Sequence, residues 1–123
     1  MKESGSIQSK LKELRALKIS IDEMNEELRQ LTDEFFDSAR SCKQYDLKYI
    51  SLKNKVVAYR YKKICLYLQC YDVIENLESE TDKRLLKLRY LYGYTWDTVA
   101  EKMGYSIRQA YNLHNKALGK LKQ

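Results

Sequence analysis

The side chains with the richest recognition chemistry stand together near the C-terminal end. Arg108, Gln109, Tyr111, Asn112, Asn115 and Lys116 share one face of a helix whose other face, Ala110, Leu113, Ala117, Leu118 and Leu121, is apolar. A guanidinium can bond guanine bidentately, and Asn or Gln amides can do the same with adenine, each good pair discriminating by roughly 1–3 kcal/mol. Lys116, Lys120 and Lys122, with Lys83, Arg84 and Lys87 upstream, supply charge that would neutralise phosphates. That pattern predicts a face that reads double-stranded DNA in the major groove.

Other chemistries find no support. His114 is the one histidine, and with no nucleophile or acid partner identifiable it is read as a solvated or phosphate-facing side chain. Cys42, Cys65 and Cys70 form no CxxC pair and have no metal-ligand spacing to His114. The chain is therefore read as a non-enzyme with no cofactor and no metal. Reduced thiols, no apolar signal-like stretch in MKESGSIQSK and no run of about 18 apolar residues predict a cytoplasmic protein without a membrane partner.

The elements that must position the reading face are marked by caps. Ser79 is placed to cap a helix with Asp82 three residues on, Leu85, Leu86, Leu88 and Leu91 give it a dense apolar face, and Gly93 stops it. Thr95 caps the next helix, with Asp97 in its first turn and Trp96, Val99, Ala100 and Met103 as its apolar side. Gly104 ends it. Ser106 and Gln109 then form an S-x-x-Q capping box that opens the reading helix. Small Ala100, then Gly104, then Ala110 and Leu113 follow the order a helix-turn-helix requires, over Trp96 to Leu118. Charge agrees with that placement: residues 79–123 carry nine basic against four acidic side chains, residues 1–36 six against eight.

Residues 1–78 read as a long-helix oligomerisation region, and 79–123 as the DNA-binding domain. Leu14, Leu17, Ile21, Met24, Leu28, Leu31 and Phe35 recur at alternating steps of three and four, the spacing of a coiled-coil seam. A polar stretch, Asp37 to Asp46, predicts a loop. Beyond it Leu47, Ile50, Val57, Tyr61, Ile64, Leu68 and Tyr71 repeat the pattern, with Asn54 in one seam position. The two helices either fold back as an antiparallel hairpin or the first pairs with its copy in another chain, which predicts a homodimer or small homo-oligomer. Tyr59, Tyr61, Tyr67 and Tyr71 lie among Lys53, Lys55, Arg60, Lys62 and Lys63. Stacking on single-stranded bases is one use of that mixture, but packing against neighbours with a wet hydroxyl is the stronger reading. Proline is absent and glycine appears four times, so the whole chain is predicted all-α.

The segment Leu88 to Leu121 resembles region four of bacterial sigma factors through Gly93, Thr95, Ala100, Gly104, Ser106, Ala117, Leu118 and Leu121. Most of the chain, with its coiled coil and the block around Arg89 to Gln109, looks like the ArpU/RinA-type late transcriptional regulators of phages and prophages. That resemblance implies a phage-encoded regulator in a bacterial host cell that binds promoter or operator DNA, with host RNA polymerase as a further partner. Carried over by position, it places Ile107, Arg108, Gln109, Tyr111 and Asn112 in the groove and a phosphate contact near Thr95 and Trp96. Ile107 and Arg108 stand where sigma factors commonly carry arginine and glutamate. Two alternatives belong to other classes: a small-terminase-like DNA-packaging component, and an adaptor that grips RNA polymerase without reading DNA.

Overall fold

The computed structural model describes residues 6–38 and 43–121, side chains 34–38 and 43–45 excepted. It is all-α: helix α1 spans Ile7–Ser38, α2 Lys43–Glu75, α3 Glu80–Leu86 running on into a π-helical turn Lys87–Leu91, α4 Trp96–Met103 and α5 Ile107–Lys120. The expected loop at Asp37 to Asp46 is shorter than its polarity suggested, because α1 continues to Ser38 and α2 opens at Lys43. Cys42 and Lys122 lie outside the described residues, as does the side chain of Phe35.

Ser6 opens α1 by accepting the Ser9 N–H at 3.2 Å. Along its exposed side, Lys18 pairs with Asp22 at 2.8 Å and Arg29 with Asp33 at 3.1 Å, solvent-screened contacts between residues four apart. The first four residues of the expected α1 stripe, Leu14, Leu17, Ile21 and Met24, are in the core, extended backward by Ile7 and Leu11, whereas Leu28 and Leu31 are partly buried. The stripe packs within the chain. Ile21 and Met24 meet Val56, whereas Ile7 to Leu17 share a cluster with Leu66, Cys70, Ile74 and Leu77, so α2 folds back antiparallel as a helical hairpin.

The α2 stripe read from sequence is not the face that packs on α1. Leu47, Ile50, Asn54, Val57, Tyr61, Ile64, Leu68 and Tyr71 all face solvent. The buried face is the opposite one, Leu52, Val56, Tyr59, Leu66, Cys70 and Ile74. Both sets follow steps of three and four, so periodicity alone does not choose between them. The inner set was masked by Tyr59, Cys70 and the half-buried Lys63, which reads as polar.

The α3 segment is a wedge between two cores. Leu85 and Leu88 pack with Val99, Ala100 and Ala110, while Leu86, Tyr90 and Leu91 turn the other way into the hairpin core with Ala117. Ser79 caps α3 by accepting the Asp82 N–H at 3.2 Å. The π turn, closed by Tyr92 N–H donating to the Lys87 carbonyl at 3.0 Å, slips the register by one residue. Gly93 follows at φ +76°, and a Cβ there would sit 3.2 Å from Lys18 Cγ, so both backbone and space call for glycine.

Candidate nucleic-acid interface

Helices α4 and α5 are joined by the link Gly104-Tyr105-Ser106. Thr95 caps α4 by accepting the Thr98 N–H at 3.4 Å, and Gly104 closes it at φ 75°, with Tyr105 N–H donating to the Ala100 carbonyl at 2.9 Å. Ser106 accepts the Gln109 N–H at 3.1 Å while its own N–H donates to Gln109 Oε1 at 3.0 Å, the reciprocal capping box. Fully buried Val99 and Ala110, with near-buried Ala100, hold the two helices together through small side chains.

That packing sets which face of α5 is free. Ile107, Arg108, Gln109, Tyr111, Asn112, Asn115 and Lys116 are all exposed. Arg108, Asn112 and Asn115, spaced i, i+4 and i+7, make the central line of that face. The others sit differently. Gln109 gives its amide oxygen to the capping box, Ile107 lies at the margin, and Tyr111 leans on the Trp96 ring edge-on at 5.3 Å and on His114 at 5.7 Å. Helix α5 contains no carboxylate, so the field over this face favours anions.

His114 is buried, which corrects its reading as a solvated or phosphate-facing group. At positions 110, 113, 114 and 117 it completes the inward stripe, a signal the sequence already carried. Its Nε2 is 2.5 Å from the Tyr90 hydroxyl, and its ring lies 4.7 Å from that of Trp96. Burial first, and with it the nearby positive charges of Arg89 and Lys12, outweigh the opposing effect of the Asn115 side chain and hold its pKa below the ordinary histidine value.

Beside α5 the hairpin and the C-terminal helices form an open recess of about 310 Å³ lined by Lys12, Arg15, Arg89, Tyr90, Trp96, Tyr111 and His114. Three cations and no carboxylate meet there. The Arg89 guanidinium lies 4.4 Å over the Trp96 ring and donates to the Tyr94 carbonyl at 3.0 Å. Burial, then repulsion from Arg15, lowers the Arg89 pKa. The Nε atoms of Arg15 and Arg89 are buried without a hydrogen-bond partner. A cationic recess with aromatic walls is chemically suited to an oxyanion. Lys12 and Arg15 escaped the sequence reading because they lie in the acidic N-terminal third.

The upstream lysines are placed otherwise than expected. Lys83 pairs with Glu80 at 3.0 Å and Glu75 at 3.8 Å, and Lys87 pairs with Glu75 and sits 4.8 Å over the Tyr71 ring. Glu75, at the end of α2, lands beside both and with Glu80 balances their charge, so they are not free phosphate donors. Lys120 is likewise held, 2.9 Å from the buried Asp82 carboxylate. Arg84 and Lys116 remain exposed. Thr95 spends its hydroxyl on the α4 cap, and Trp96 is half-buried between Arg89, Tyr111 and His114 and lines the recess.

Fold and site together define an all-α chain in which an antiparallel hairpin carries a compact trio of helices with a basic, carboxylate-free outer helix. Compared with protein-family models, curated proteins and solved structures, the chain matches none. Among the described residues no group of His, Cys, Asp and Glu is arranged to hold a metal ion, and no helix is long and apolar enough to cross a membrane.

Proposed function

We propose that this protein is a sequence-specific DNA-binding transcriptional regulator in which α4, the Gly104 turn and α5 act as a helix-turn-helix. The observation that carries the reading is the outer face of α5: Arg108, Asn112 and Asn115 form one exposed line on a helix without a carboxylate. A helix about 10–12 Å across fits a major groove about 12 Å wide, and those residue types bond base edges. The cationic recess of Lys12, Arg15 and Arg89 flanks that line and would take a backbone phosphate. The resemblance of residues 88–121 to sigma region four, and of the chain to phage late regulators, supports a role at promoters, with host RNA polymerase as a further partner.

Selection of bound sites from random double-stranded DNA tests this directly. An enriched motif is expected, and Arg108→Ala and Asn112→Ala should each weaken binding to it by about 1–3 kcal/mol more than they weaken binding to random DNA. Equal affinity of both variants for the selected site would refute base reading by α5. The exposed α2 stripe would serve the DNA-packaging alternative equally well, so native mass separates the two: a ring of many copies favours packaging, a small oligomer the regulator.

A further inference from the structure

Helix α2 is apolar on two opposite sides. One side, including Val56, Leu66 and Cys70, is covered by α1; the other runs from Leu47 to Tyr71 and carries seven large apolar or aromatic side chains that are 36 to 72% exposed. A helix apolar on both sides belongs between two layers, and the described residues supply only one. The outer strip spans about 36 Å at 1.5 Å rise per residue and about 10 Å of helix width. An apolar strip of several hundred Å² marks an interaction surface.

We propose that the missing layer is α2 of a second copy of this chain, paired in parallel along that strip. The repeat argues for it first. Steps of three and four continue unbroken from Leu47 to Tyr71, and knobs-into-holes packing needs the same repeat on the partner, which a second copy has by construction. Asn54 argues next, as the one polar residue in the line. In parallel its amide faces the same amide and both can be satisfied; antiparallel and centred on the strip, it would be buried against Ile64 with no partner.

The flanks give the third argument. One side of the strip carries Lys53 and Arg60, the other the small neutral Ser51, Ala58 and Cys65. Parallel pairing sets the basic flank against the small one, whereas antiparallel pairing sets Arg60 against Arg60. It also brings both α3–α5 units to the same end of the assembly. The inference does not rest on the DNA reading, and DNA affinity is scored separately from mass.

The test is sedimentation equilibrium of the full chain at tens of micromolar, where a mass twice the 14.7 kDa chain is expected. Ile64→Glu and Tyr61→Glu, at positions 57 and 72% exposed, should keep their helical circular dichroism and sediment as monomers. Asn54→Leu removes the polar break, and should tighten association by about tenfold or raise the copy number. Asn54→Cys should cross-link two copies under mild oxidation well above the level seen for the native cysteines. A monomeric wild type, a dimeric Ile64→Glu, or Asn54→Leu with unchanged association overturns the pairing. A dimer in which Asn54→Cys fails to cross-link overturns the parallel arrangement, and a wild-type mass above two copies overturns the two-stranded one.

Discussion

Tyr90 and His114 are joined by a 2.5 Å hydrogen bond between the phenol oxygen and Nε2, which links the π turn after α3 to the inner side of the outer helix α5. The groups facing His114 are cationic or aromatic: Lys12 and Arg15 from α1, Arg89 from the π turn, Trp96 from α4 and Tyr111 from α5. Burial first, and then the charges of Arg89 and Lys12, lower the His114 pKa, so the folded state binds its proton less readily than the unfolded chain. Stability is therefore complete above the ordinary histidine value of about 6.5 and declines as pH falls through it. Thermal melts between pH 8 and 5.5 should show that decline, and His114→Gln should flatten it. An equal slope in both proteins rejects the coupling.

The cationic recess makes a prediction distinct from that of the α5 face. Lys12 and Arg15 reach no base edge in the proposed complex and act only through charge. Lys12→Ala and Arg15→Ala should each reduce the slope of log affinity against log salt by about one, and weaken selected and random DNA alike. Filter binding at several salt concentrations measures this. An unchanged slope would remove the recess from the DNA interface.

Local chemistry was readable in advance and distant chemistry was not. The caps at Ser79, Thr95, Gly104 and Ser106–Gln109 are contacts among near neighbours, and all four form as their spacing implied. The α1 stripe was legible because it is the helix's one apolar face. Helix α2 has two, and choosing between them needs the partner's position, which no local pattern contains. Lys12 and Arg15 join Arg89 only through the way α1 packs against the π turn, and the π turn leaves no mark in composition. His114 lies on the inward stripe with Ala110, Leu113 and Ala117, so helical periodicity alone places it in the core despite its polar type.

Cys65 and Cys70 should differ sharply in reactivity. Cys65 is exposed, whereas Cys70 is fully buried between α1 and α2, and burial pushes its thiol pKa up to about 11. The thiolate is the reactive form, so Cys70 is disfavoured both by access and by ionisation. Alkylation at pH 8 followed by peptide mapping should modify Cys65 first. Cys70 should react only at the rate at which the hairpin opens, and should become as fast as Cys65 in denaturant. Equal rates in the folded protein would contradict the packing of α2 on α1.

Three glycines test the backbone geometry that carries α5. Gly93 and Gly104 both have φ near +75°, but only Gly93 has a side chain where a Cβ would go, Lys18 Cγ at 3.2 Å. Gly104→Ala should cost about 1–2 kcal/mol from the left-handed conformation alone, and Gly93→Ala more, since Lys18 must also yield. Gly119 lies within α5 with open space around it, so Gly119→Ala should stabilise the fold by about 0.5–1 kcal/mol through helix propensity. Chemical denaturation of the three variants gives the order. Gly104→Ala proving costlier than Gly93→Ala would mean that the turn between α4 and α5, rather than the seat of Gly93 against α1, is the tighter constraint on where the outer helix stands.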